Sequence, residues 1–99
     1  MKMAFIVHNQ YFTSQVMDLL KRVGIDYFTR WENAQGKGHG TEAHMGRGGF
    51  PSTNAVMMIG FREPGPLEAL VREIEAANQI IPRADDRIRL FQVPLERII

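Results

Sequence analysis

Residues 3–7 form a short apolar run of strand-forming side chains closed off by His8, Asn9 and Gln10, which reads as a buried central strand. Beyond it, Val16, Leu19, Leu20 and Val23 recur at the i, i+3, i+4, i+7 spacing of an amphipathic helix. Thr13 or Ser14 is placed to cap the start of that helix, and Gly24 to end it in the left-handed region. Residues 25–33 hold Tyr27, Phe28, Thr29 and Trp31, which favour a pleated surface, so the second strand is expected there. Residues 34–53 follow neither period. They carry Gly36, Gly38, Gly40, Gly46, Gly48 and Gly49, too little apolar surface to order themselves, and read as a long mobile loop.

The strand pattern returns over residues 54–61, continuously apolar from 55 to 59, and pairs most simply antiparallel with the second strand across the loop. A second helix is expected from Gly65 and Pro66, with Leu67, Leu70, Val71, Ile74 and Ala77 sharing a face and Asn78 as its terminator. A charged stretch, residues 83–87, leads into a last strand over residues 88–93 stopped by Pro94. The order strand, helix, strand, strand, helix, strand predicts an α+β chain, a ferredoxin-like βαββαβ sandwich. Its four-stranded antiparallel sheet would carry two helices on one face and the long loop between strands 2 and 3. The other face, with residues such as Phe28, Met58 or Phe91, would be an apolar patch that soluble monomers rarely expose, so self-association through the sheets is expected.

With 99 residues, 44% of them hydrophobic, residues 1–99 suffice for one domain and not for two. Small domains without disulfides often gain burial by associating. Twelve Lys and Arg against eleven Asp and Glu leave a net charge of +1 spread along the chain, which gives nucleic acid no basic patch to bind. The lack of cysteine excludes disulfides, thiolate metal sites and a Cys nucleophile, and fits a reducing cytoplasm. The N-terminal apolar run is too short for a signal segment or a membrane span. No nucleophile and base fall in a recognised pattern, and no Walker or Rossmann sequence occurs, so a non-enzymatic role is expected.

The segment Val23-Gly24-Ile25, followed by Thr29, Glu32 and Gly36-Lys37-Gly38-His39, resembles the Val-Gly-Ile, Thr, Glu and Gly-Phe-Gly-Arg succession of the nitrogen-regulatory PII family. Residues 87–93 are similar to that family's Lys-Ile-Phe-Val strand after the B-loop. The resemblance spans nearly the whole chain and implies a signalling homotrimer. In it, the base of the T-loop, here residues 34–53, and the B-loop of neighbouring subunits hold an adenine nucleotide such as ATP, ADP or AMP. It further implies that the T-loop docks onto a partner protein, possible partners including a membrane transporter. Three departures stand out. Ala84-Asp85-Asp86-Arg87 replaces Gly-Asp-Gly-Lys, His39-Gly40 replaces Arg-Gln, and the loop has no tyrosine to accept uridylylation.

The effector-binding candidates are Thr29, Gly36, Lys37, Gly38, His39, Arg87 and Arg89. Glycine-freed amides with the Lys37 charge suit a phosphate or carboxylate, and the guanidinium groups suit bidentate contacts to the same anions. Thr29 matches a residue that contacts the nucleotide base in the family, although strand propensity alone also explains it. His39, Glu42 and His44 supply the imidazole and carboxylate ligands that divalent transition metals prefer, with His8 a weaker fourth. They support the alternative of a metal-binding trimer resembling in architecture the CutA family. Trp31 and Phe50, at the loop margins, are candidate anchors for a partner.

Overall fold

The computed structural model describes residues 1–37 and 53–99. Four strands, β1 (Lys2–Asn9), β2 (Thr29–Ala34), β3 (Asn54–Phe61) and β4 (Arg89–Pro94), form one antiparallel sheet in the order β2-β3-β1-β4. Two helices, α1 (Thr13–Arg22) and α2 (Pro64–Ile80), supply the other layer. This is the expected ferredoxin-like arrangement, with β2 and β3 paired across the long loop.

Strict alternation decides which strand residues face the helices. Ala4 and Ile6 of β1 and Met57, Ile59 and Phe61 of β3 join Val16, Leu19 and Leu20 of α1 and Leu67, Leu70 and Ile74 of α2 in one buried cluster. Each large apolar side chain so buried contributes about 1.5–3 kcal/mol. Cross-strand pairing puts the alternate residues on the opposite, open face: Phe5 lies between Met58 and Phe91, Met3 beside Val93, and Val56 beside Trp31. Trp31, Phe91 and Val93 are exposed there; of the residues expected on this face, Phe91 is exposed and Met58 half-buried. Phe28 is an exception, because it lies before β2 and packs against the core instead.

Gly24 ends α1 with φ +78°. Ile25 N–H reaches back to Leu20 O at 2.9 Å and Gly24 N–H to Lys21 O at 3.1 Å, the paired bonds of a Schellman motif, and Ile25 is thereby delivered into the core. That corrects the extent of the second strand. Residues 25–28 are held by packing, with Ile25 buried and the Tyr27 ring set edge-on to Phe61 at 6.5 Å, and the ladder begins only at Thr29. The start of α1 differs too. Neither Thr13 nor Ser14 caps it; Phe12 occupies the cap position and the Thr13 hydroxyl donates to Gln10 O at 2.7 Å, closing a 3-10 turn over Gln10–Phe12. Asn78 does not terminate α2, which runs on to Ile80, because its side chain is engaged elsewhere.

Candidate functional site

At the end of the sheet where β1 finishes, a cleft of about 290 Å³ opens between the root of the long loop, residues 34–37, and the connection from α2 to β4. Val7, His8 and Asn9 form its floor, joined by Asn54 and Val56 of β3 and by Arg89 and Phe91 of β4.

The loop-root wall is set by Gln10. Its Oε1 accepts the Asn33 N–H at 2.7 Å and the Thr53 hydroxyl at 3.1 Å, while its own N–H donates to Thr53 O at 2.8 Å. One side chain therefore ties both roots of the segment 38–52 to the end of β1. Asn33 can present its N–H sideways because it sits at φ +59°, a left-handed conformation that asparagine tolerates, where the β2–β3 register shifts between Trp31 and Ala34. Gly36 lies close to β3: a Cβ there would meet Asn54 Nδ2 at 2.6 Å, so glycine lets the root close down.

The opposite wall is a 3-10 turn over Ala84–Asp86. Asp86 N–H donates to Arg83 O at 3.1 Å and Arg87 N–H to Ala84 O at 3.3 Å. Arg83 holds the Asp85 carboxylate at 3.0 Å and the Asp86 carboxylate at 3.8 Å. Asn78 on α2 brackets the next residue, donating to Ile88 O and accepting Ile88 N–H, both at 2.8 Å. Those two bonds fix the start of β4 and hence where Arg87 and Arg89, on either side of Ile88, emerge into the cleft.

Lys37, Arg87 and Arg89 line the cleft against one carboxylate, Asp85, a charge balance that favours an anion. His8 is 2% exposed; its Nδ1–H donates to Asn9 O at 2.8 Å, and its Nε2 has no partner among the described residues. Burial pushes the imidazole below its ordinary pKa, the Asn9 carbonyl opposes the shift and the Arg30 guanidinium adds to it.

The structure brings Gly36, Lys37, Arg87 and Arg89 together in this cleft. Thr29 lies outside it, exposed on the open sheet face opposite Met58. Gly38, His39, Glu42, His44 and Phe50 fall outside the described residues, and with them the metal-ligand set. Among the described residues no group of three or more His, Asp or Glu side chains could hold a metal ion. Trp31 is about half exposed on the open face. Sequence reading missed Gln10, Asn78 and Asp85 as builders of the site. Gln10 and Asn78 carried only the signal of element ends, and their bonds to Asn33, Thr53 and Ile88 are contacts that no local pattern encodes.

No family model matches the chain, and no curated protein matches it in sequence. Solved structures do match in fold. CPII from Thiomonas intermedia K12, bound to ADP and bicarbonate, superposes with a TM-score of 0.68 at 18% identity, over 97% of this chain and 88% of that one. The same protein, described as a nitrogen regulatory PII-like protein and bound to ADP, AMP and bicarbonate, gives 0.62 at 18% identity over 99% and 94%. A third form, bound to ADP, AMP and acetate, gives 0.62 over 97% and 88%. The chain thus shares the ferredoxin-like fold of CPII along nearly its whole length. No described helix is long and apolar enough to cross a membrane.

Proposed function

We propose that this chain is a non-enzymatic, PII-like regulatory protein that binds an adenine nucleotide or a small anion and reports it through residues 34–53. The observation that carries the reading is the cleft itself, which gathers Gly36 and Lys37 from the loop root with Arg87 and Arg89 from the opposite wall. An anion held between the two walls touches the root of the loop directly. Its binding biases the position of the loop root, and the loop's fit to a partner changes with it. The ligands named for CPII, which shares the fold, are of this chemistry.

In this reading the open sheet faces associate in a homotrimer, so that each cleft is completed by a neighbouring subunit that closes around the nucleoside end of the effector. The partner of the loop is a protein of the cytoplasm or a membrane transporter met from that side. Native mass spectrometry of the protein alone, and with ADP, AMP, bicarbonate or a divalent metal added, tests it. A trimer gaining up to three nucleotides or anions is the expected result. A trimer taking metal alone would replace this reading with the metal-binding one, and a monomer taking nothing would remove it.

A further inference from the structure

We propose that the cleft recognises a single compact oxyanion, meaning a carboxylate, bicarbonate or one phosphate group, and discriminates against a polyphosphate chain. The inference rests on the reading of the cleft as the effector site and specifies what that site selects.

Two features of the Ala84–Asp86 wall carry it, together with the cations that follow it in the chain. A loop that cradles a chain of phosphates does so with successive backbone N–H groups left free to point at the oxygens. Here two of those groups are already spent, Asp86 N–H on Arg83 O and Arg87 N–H on Ala84 O. The same turn also places fixed negative charge beside the cleft. Asp85 lines it with its carboxylate only 13% exposed, and Arg83 pins Asp85 and Asp86 in place from outside, its own side chain 60% exposed. A solvated guanidinium screens those two charges only in part.

Side-chain cations then carry much of the binding, with the bonds of Asp86 N–H and Arg87 N–H already made. Arg87 uses Nε on Ile81 O at 3.3 Å, and neither Arg87 nor Arg89 has a carboxylate partner among the described residues. Two planar guanidinium groups either side of the Ile88 backbone, itself bracketed by Asn78, are matched to one anionic group with two or three oxygens. A second and third phosphate would find no free amides of Asp86 and Arg87 and would lie against Asp85, the carboxylate that lines the cleft.

Calorimetric titration of the full chain in its native assembly, at fixed salt, with AMP, ADP, ATP, inorganic phosphate and bicarbonate tests the inference and identifies which oxyanion source the cleft takes. AMP is expected to bind at least about tenfold more tightly than ATP. Inorganic phosphate or bicarbonate should bind alone and compete with AMP, and Arg89→Ala should weaken every one of them. Replacing Ala84→Gly together with Asp86→Gly should raise ATP affinity more than AMP affinity and narrow the ratio. If that double variant loses its cooperative melt, the wild-type ratio decides alone. ATP binding as tightly as AMP would overturn the inference while leaving the nucleotide reading intact. Arg89-dependent binding of phosphate or bicarbonate without any nucleotide would uphold the inference and remove only the nucleotide arm of the reading, and binding of none of the five would overturn both.

Discussion

The two faces of the sheet are built from similar residues and end in opposite situations. On the helix side Ala4, Ile6, Ala55, Met57, Ile59 and Phe61 are at most 1% exposed. On the open side Trp31, Phe91 and Val93 keep 49%, 56% and 43% of their surface in solvent, although their cross-strand neighbours Val56, Phe5 and Met3 are equally apolar. A period of two reports one buried face, and a strand that departs from it reports two. Apolar residues at consecutive strand positions say that both faces need cover, and two helices in one chain suffice for one of them.

The covered face depends most heavily on Phe61. Truncation by Phe61→Ala removes a fully buried ring from beneath the helices, and should lower the unfolding free energy by about 3–5 kcal/mol in urea titration, whatever the protein concentration. Next in size is Asn78→Ala, which strips both partners from the part-buried Ile88 backbone. At about 1 kcal/mol for each lost bond, a loss of roughly 2 kcal/mol is expected, together with weaker anion binding because Arg87 and Arg89 lose their frame. Asn78→Asp keeps the acceptor for Ile88 N–H and should lose about half as much.

Phe91→Ala sharpens the same comparison from the open side. In dilute protein the ring is solvated, and its removal should change stability by less than about 1 kcal/mol. If a second copy covers this face, the loss grows as protein concentration rises, because association stabilises by mass action. A concentration-independent loss as large as that of Phe61→Ala would mean that the two faces do not differ as described.

The four strands, both helices and the hairpin across residues 34–53 follow from hydrophobic period, which reports which face is buried. The misreadings fall where tertiary bonds overrule local preference. Residues 25–28 look like strand because aromatic and β-branched side chains fit pleated surfaces, yet Ile25, Tyr27 and Phe28 use their bulk on the core and on Phe61, outside any ladder. Asn78 is a poor helix residue by propensity, and α2 continues through it because its amide is satisfied by Ile88. Of the cleft, the charged residues Lys37, Arg87 and Arg89 were legible as chemistry. The turn that consumes the amides of Asp86 and Arg87 was not, since glycine content tells how free a backbone is and not which bonds it makes.

The smallest expected effect comes from His8, the buried polar residue on the covered face, and it is a slope with pH. Burial holds its folded-state pKa below the ordinary 6.5, with Arg30 the charged group acting in the same direction and the Asn9 carbonyl against it. Below pH 6.5 the unfolded chain takes up a proton that the folded chain refuses, so stability falls as pH drops from 6.5 toward the folded-state pKa and levels off beneath it. Above 6.5 both states are neutral at this site and it contributes no slope. His8→Phe fills a similar space, removes the unpartnered Nε2 and abolishes the linkage, so the variant should lose less stability than the wild type between pH 7.5 and pH 5.5 in paired urea titrations. His39 and His44 are common to both proteins and cancel in the difference. Equal losses would mean that the imadazolium finds as good an environment in the folded chain as in water, contrary to its place among the buried residues of the covered face.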